Sequence, residues 1–206
     1  MVTATGLPAF PPEVDLSSID QRVLLYGRRF EDYEILLAVR GDSAGPRMSF
    51  LEGTIELMSP SAEHESIKTV IARLLEAWAE ERGVPLNGFG SWTLKNAFFE
   101  RGAEPDECYI VGPAIGKEVP DFAIEVQWTR GGISKLDLYR GLGVPELWIW
   151  RRSGEISIYA LGDGRYDRVP ESGVLPGLDV TELASYVRPQ DQTAAVRAYR
   201  AALRKT

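Results

Sequence analysis

The chain has 206 residues, enough for one domain with a sizeable core, and its 44% hydrophobic and 26% charged residues are those of an ordinary soluble globular protein. Lys and Arg number 23 against 30 Asp and Glu, a net charge of −7, so any nucleic-acid role must rest on a local basic patch or a bridging metal rather than on overall charge. Cys108 is the only cysteine, which excludes an internal disulfide framework; the first residues lack a basic start followed by an apolar run, and no apolar run approaches a membrane span, so a soluble cytoplasmic protein with no membrane partner is expected.

Residues 1–29, with Pro8, Pro11 and Pro12, read as an extended arm. Phe30 to Arg40 reads as a short helix stopped by Gly41. MSFLEGTIELMSP then reads as a hairpin turning at Glu52-Gly53. Ser61 is placed to cap the next helix, and Glu63 and Glu65 suit its positive N-terminus. In that helix Ile67, Val70, Ile71, Leu74, Leu75 and Trp78 recur at steps of three and four, an amphipathic stripe that stops near Arg82-Gly83. Burying each of those side chains is worth about 1.5–3 kcal/mol before entropy is subtracted, so the helix belongs against a sheet.

Strands are expected around Gly88–Leu94, Pro105–Val111 and Asp121–Trp128, then a helix over Ser134–Leu142. Glu146–Arg151 and Glu155–Leu161 read as a strand pair around Ser153-Gly154, and Tyr166–Val169 as a further short strand. Thr181–Val187 reads as a short helix, and Asp191 caps a last helix carrying Val196, Tyr199 and Leu203. The order predicts one α/β domain over 30–190 with a mixed sheet, an N-terminal arm over 1–29 and a C-terminal helix over 191–206.

The chemistry concentrates between Pro120 and Trp150. On the strand beginning at Asp121, a period of two puts Asp121, Ala123, Glu125 and Gln127 on one face and Phe122, Ile124, Val126 and Trp128 on the other. Charge on the packed face is costly unless it is paired with a basic side chain, a metal ion, or both. Asp121 follows Pro120 at the strand start, where a turn role competes with a ligand role. His64, the only histidine, sits in the first turn of the amphipathic helix, where packing or capping competes with a part in the site. Trp128, Trp148 and Trp150 read as core and rim aromatics. Arg151-Arg152 and the group Arg197, Arg200, Arg204 and Lys205 could meet phosphates or simply face solvent.

The segments IELMSPSAEHE, RGAEPDECYIV, PDFAIEVQWTRGGISKLDLYRGLGVPELWIW and VLPGLDV, in this order, resemble a restriction-endonuclease-like family of bacterial proteins in the PD-(D/E)XK nuclease superfamily. The likeness runs from about Tyr33 to Val187 and implies an α-β-β-β-α-β core. It implies that Asp106 and Glu125 form the carboxylate pair that holds Mg²⁺ or Mn²⁺ for hydrolysis of DNA phosphodiester bonds. It also implies that Lys135, on the following helix, supplies the ammonium near the metal. Gln127 stands where the simple motif has lysine, and can hydrogen-bond without supplying charge. His64 matches the histidine of the family's first block. Gly131 replaces an acidic residue frequent four positions before the lysine. Such folds often pair to cut two strands, which would make the protein a homodimer. The alternative expectation is a binding or assembly module that keeps the fold with weak chemistry or none; Gln127, Gly131 and the net charge favour it.

Overall fold

A computed structural model describes residues 19–128 and 131–205. Eleven strands and five helices follow one another in the order β1 (Gln21–Tyr26), α1 (Phe30–Arg40), β2 (Arg47–Leu51), β3 (Thr54–Ser59), α2 (Ala62–Arg82), β4 (Leu86–Gly88), β5 (Leu94–Asn96), β6 (Arg101–Ala103), β7 (Glu107–Val111), β8 (Phe122–Gln127), α3 (Lys135–Leu142), β9 (Glu146–Arg151), β10 (Ile156–Gly162), β11 (Arg165–Val169), α4 (Val180–Ser185) and α5 (Gln192–Leu203). They build a five-stranded sheet, β1-β3-β2-β6-β5, and a six-stranded sheet, β11-β10-β9-β8-β7-β4. The second is mixed: β8 and β9 run parallel, and every other pairing in it is antiparallel.

A parallel pair needs a crossover, and α3 supplies it between β8 and β9. Ser134 caps α3 by accepting from the Asp137 amide, and Gly143 ends it in the left-handed conformation at φ 76°. On β8 the period of two holds. Phe122, Ile124 and Val126 enter one core with the apolar stripe of α2 and with Tyr199 and Leu203 of α5. Ala123 enters a second core with Leu138, Tyr139 and Leu142 of α3 and with Leu94 and Ala103 of the five-stranded sheet. The six-stranded sheet therefore lies between α2 and α5 on one side and α3 on the other, and Glu125 is placed on the α3 side.

The helices over 30–40 and 62–82 and the hairpin at Glu52-Gly53 fall where the sequence places them; both turn residues have positive φ, the mark of a tight hairpin turn. Two expectations change. The proposed arm over 1–29 contains β1, which pairs with β3 from Gln21↔Ser59 to Tyr26↔Thr54, because β3 otherwise presents an open edge; the earlier part of the arm lies outside the described residues. The strand expected over Gly88–Leu94 is instead two short strands, β4 and β5, which join different sheets. The three-residue β6 has no period long enough to read from sequence. No helix among the described residues is long and apolar enough to cross a membrane.

Candidate functional site

Buried carboxylates alone do not mark a site here. Glu104 is 6% exposed but accepts from both terminal nitrogens of Arg40 at 2.5 Å, from the Met48 amide at 2.8 Å and from Thr93 at 2.9 Å. Glu146, also buried, accepts from Trp148, Ser172 and the amides of Gly173 and Val174. Four donors each satisfy these two carboxylates with groups that tie one element to another, a structural use.

Asp106 and Glu125 are different. The last rung of the β7–β8 ladder is Glu107↔Ile124, so the next residues along, Asp106 and Glu125, stand opposite each other at the ladder's end. Both are almost fully buried. Asp106 turns one oxygen onto the sheet, where Oδ2 accepts from the Val126 amide at 2.6 Å. Its Oδ1 receives no directed hydrogen bond; its partner is Nη1 of Arg47 from β2, in a close ion pair. Arg47 also reaches Glu65 at 2.6 Å.

His64 completes the Asp106 side. Ser61 caps α2 by accepting from the His64 amide at 3.2 Å, which fixes the imidazole in the first turn. Its Nδ1 lies 3.2 Å from Oδ2 of Asp20, and its Nε2 lies 3.0 Å from Oδ2 of Asp106 but off the line of a hydrogen bond. Asp20 also accepts from the Ser61 amide at 2.9 Å. Burial would raise the Asp20 carboxyl; the hydrogen bonds from His64 and Ser61 and the neighbouring His64 and Arg22 side chains outweigh it and hold the group down to about 2. The histidine is thus a bridge between two aspartates.

Glu125 is held from α3. Tyr139 donates its hydroxyl to Oε1 at 2.5 Å, and Lys135 Nζ stands 3.2 Å from Oε1 and 3.1 Å from Oε2. Burial first, and then the neighbouring Glu125 charge, push the Tyr139 phenol well above its ordinary value, so it stays a donor. Lys135 is the first residue of α3, where the helix dipole disfavours a cation; the Glu125 carboxylate offsets that cost.

The sequence-chosen residues therefore gather in two groups. Asp106 with His64 forms one, and Glu125 with Lys135 the other, on neighbouring chain segments just beyond the last β7–β8 rung. Gln127 ends β8 at its rim, half-buried, on the face of Glu125. Asp121 takes the turn role: it pairs with Lys117 at 2.5 Å and accepts from the Val111 amide at 2.8 Å. Trp148 stacks on Phe122 in the core and Trp128 on Trp150 at the rim. Arg200 and Arg204 pair with Glu80 and Glu81 of α2, which takes them out of the phosphate-binding candidates.

Three residues escape sequence reasoning: Asp20, inside the proposed arm; Arg47, in what reads as the edge of a loop; and Glu56. Glu56 is 2% exposed on β3 and accepts from the Ile133 amide at 3.2 Å, tying the five-stranded sheet to the loop before α3. A signal existed for it, a lone acid inside the apolar run IELM. Gly132 makes that approach: its φ is +88°, and a Cβ there would come within 2.2 Å of Glu56 Oε2.

Among the described residues, no group of three or more His, Cys, Asp or Glu side chains is gathered as a ready metal cage. Mg²⁺ does not need one, because it is commonly held by one or two carboxylates together with waters and substrate phosphates. Two hard-oxygen side chains beyond the last β7–β8 rung, Asp106 and Glu125, are the donor type that this mode of binding uses.

No curated protein matches the chain. A solved structure from Anabaena variabilis ATCC 29413, described as "a putative nuclease belonging to DUF820", is similar over 77% of this chain and 96% of its own, at 13% identity and a TM-score of 0.47. The model of the Uma2 family, described as "Putative restriction endonuclease", matches residues 30–195. That span includes β2, α2, β7, β8 and α3, the elements that carry the site. The chain belongs to the Uma2 family, and its α/β fold with a mixed sheet is of the restriction-endonuclease-like type.

Proposed function

We propose that the protein is a metal-dependent endonuclease that hydrolyses DNA phosphodiester bonds, acting in the cytoplasm as a homodimer that offers one site to each strand. The observation that carries this reading is the placement of Asp106 and Glu125 directly beyond the last β7–β8 rung, Glu107↔Ile124, with the Lys135 ammonium within 3.2 Å of Glu125. Asp106 and Glu125 would hold Mg²⁺ or Mn²⁺. The ion, when bound, would polarise a phosphoryl oxygen and acidify a bound water. Lys135 would stabilise charge developing on the phosphate or orient the attacking water. Tyr139 keeps Glu125 turned toward Lys135, and Val126 together with His64 keeps Asp106 against the sheet. Gln127 lies at the rim of the same face, where it can donate to a phosphate without adding charge.

Incubation of supercoiled plasmid with Mg²⁺ or Mn²⁺ tests this. Wild type is expected to nick or linearise it, and Asp106→Ala, Glu125→Ala and Lys135→Ala to lose that activity while keeping the fold. Cleavage that survives Asp106→Ala or Glu125→Ala would sink the assignment.

A second reading is a nuclease-fold binding or assembly module. It is favoured by the fact that each carboxylate already has its own cation, Arg47 on Asp106 and Lys135 on Glu125. A melt with Mn²⁺ separates the two readings without a substrate. Metal at 100 times its Kd adds about 2.7 kcal/mol, which for a chain of this size raises the midpoint by about 5–10 °C. That rise, absent in the Asp106→Ala, Glu125→Ala double variant, belongs to the nuclease. No rise in wild type belongs to the module.

A further inference from the structure

Beyond Gln127, at the rim of the six-stranded sheet, opens a cleft of about 850 Å³ lined by Trp128, Arg151 and Arg152 among others. A smaller one, of about 310 Å³, adjoins it through Gln127 and Arg151 and ends at Lys135. Among the described residues neither lining contains an Asp or Glu, although the chain carries seven more acids than bases. Among the described residues, the joined linings carry two arginines without an acid partner, Arg151 and Arg152, beside Lys135, which is paired with Glu125. Low-dielectric walls around such a groove focus its positive field.

The two arginines, like Arg73 on Gln192 and Thr193, are held by neutral groups. Arg151 donates to the hydroxyls of Ser157 at 2.8 Å and Tyr159 at 3.0 Å, and the Arg152 guanidinium lies 4.7 Å from the centre of the Trp128 ring. Among the described residues no carboxylate stands within ion-pair distance of either. Elsewhere Arg40, Arg47, Arg101, Arg200 and Arg204 are all matched to acids. Arg151 and Arg152 are thus oriented by neutral groups that leave their charge for something else. Hydroxyls and an indole face fix a planar guanidinium without neutralising it, as bidentate recognition of a phosphate requires.

Position in the sheet connects Arg151 to the candidate site, and Arg152 adjoins it across the shared cleft lining. The parallel register pairs Glu125 with Ile149 and Gln127 with Arg151, so Arg151 lies on the Glu125 face, two residues along the sheet from that rung. That step is about 7 Å.

We propose that Arg151 and Arg152 form a phosphate clamp that seats the DNA backbone beside the bond held at Asp106, Glu125 and Lys135. The clamp takes its ligand, DNA, from the nuclease reading; its own geometry asks only for consecutive phosphodiesters. Trp128 orients Arg152, and Ser157 and Tyr159 orient Arg151. Both arginines are positioning residues, not catalytic ones.

Fluorescence anisotropy of a short labelled DNA duplex, in EDTA and at several salt concentrations, tests the clamp apart from the chemistry. Arg151→Gln and Arg152→Gln are each expected to weaken binding about tenfold at low salt. Each should also reduce the slope of log affinity against log salt by about one. Arg165→Gln, an exposed arginine already paired with Asp167, is the control and should change neither. Arg152 is exposed, so its variant keeps the fold even if the Arg151 variant does not. The clamp is overturned if both variants bind like wild type, if wild type does not bind the duplex at low salt, or if it binds RNA of the same length and not DNA. Cleavage in Mg²⁺ or Mn²⁺, scored separately, keeps the two ideas distinct. Arginine-dependent binding without cleavage removes the nuclease chemistry and leaves the clamp; cleavage with arginine-independent binding does the reverse.

Discussion

Asp106 and Glu125 stand side by side just beyond the last β7–β8 rung, yet their surroundings are assembled from different distances along the chain. Glu125 is held by Lys135 and Tyr139, which lie 10 and 14 residues on in the same strand–loop–helix unit. Asp106 is held by Arg47 from β2 and His64 from α2, and His64 in turn by Asp20, just ahead of β1. One half of the site draws its charged and hydroxyl partners from α3 alone. The other needs the five-stranded sheet and α2 docked in place. A carboxylate with a local partner keeps a compensating charge through partial unfolding; one with distant partners loses it as soon as the sheets part.

The largest expected effect breaks that asymmetry directly. Arg47→Met should destabilise the protein by about 3–5 kcal/mol, because it strips the guanidinium from both the buried Asp106, left with His64 and the Val126 amide, and Glu65. Lys135→Met should cost only about 1–2 kcal/mol, since Glu125 keeps the Tyr139 hydroxyl. Denaturant melts of both variants measure the difference. Equal losses would mean that the two halves are held alike and that the contrast has no energetic content.

Gly132→Ala sharpens the comparison at the seam between the halves. A Cβ at φ +88°, directed at Glu56 Oε2, should cost about 1–3 kcal/mol and shift the loop that delivers Lys135. Stability and DNA cleavage should fall together. A variant that melts like wild type would show that the Glu56 contact does not fix the loop.

These two sites also show what the sequence could and could not tell. The Glu125 half was legible in part from local rules, a period of two on β8 and a helix over Ser134–Leu142, while the part of Lys135 came with the family resemblance. The helices and the Glu52-Gly53 hairpin were legible for the same reason. The Asp106 half was not, beyond Asp106 and His64 themselves. Arg47 opens a strand and reads as loop. Asp20 precedes a strand that exists only because β3 offers an edge. β5 and β6 are three residues each, too short for any period, and their place beside α3 is decided by tertiary packing.

Acid titration tests the outermost layer of the distant half. The Asp20 carboxyl is held down to about 2 from an ordinary 3.8. A depressed carboxyl contributes stability that is fully present above its unfolded value and is lost as pH falls through its folded value. Its contribution, about 2 kcal/mol, should therefore be constant above about pH 4 and disappear between about pH 4 and pH 2. Asp20→Asn should flatten that limb of the stability curve relative to wild type. An unchanged limb would show that Asp20 is not held by His64 and Ser61 as the distances indicate.

The smallest expected effect separates sequence proximity from burial as the source of the contrast. Lys117 and Asp121 are four residues apart, closer in the chain than Lys135 is to Glu125, and they too form a pair, at 2.5 Å. Their side chains, however, are 35% and 21% exposed, against 10% and 3% for Lys135 and Glu125. Water already solvates the Lys117–Asp121 charges, and Asp121 keeps the Val111 amide as a donor when the lysine is gone. Lys117→Ala should thus cost no more than about 0.5 kcal/mol and less at high salt. If it costs as much as Lys135→Met, local pairing rather than burial sets the strength of these pairs. The Arg47 variant would then have to be reread as a loss of packing by a long side chain, and not as an exposed cost of the Asp106 charge.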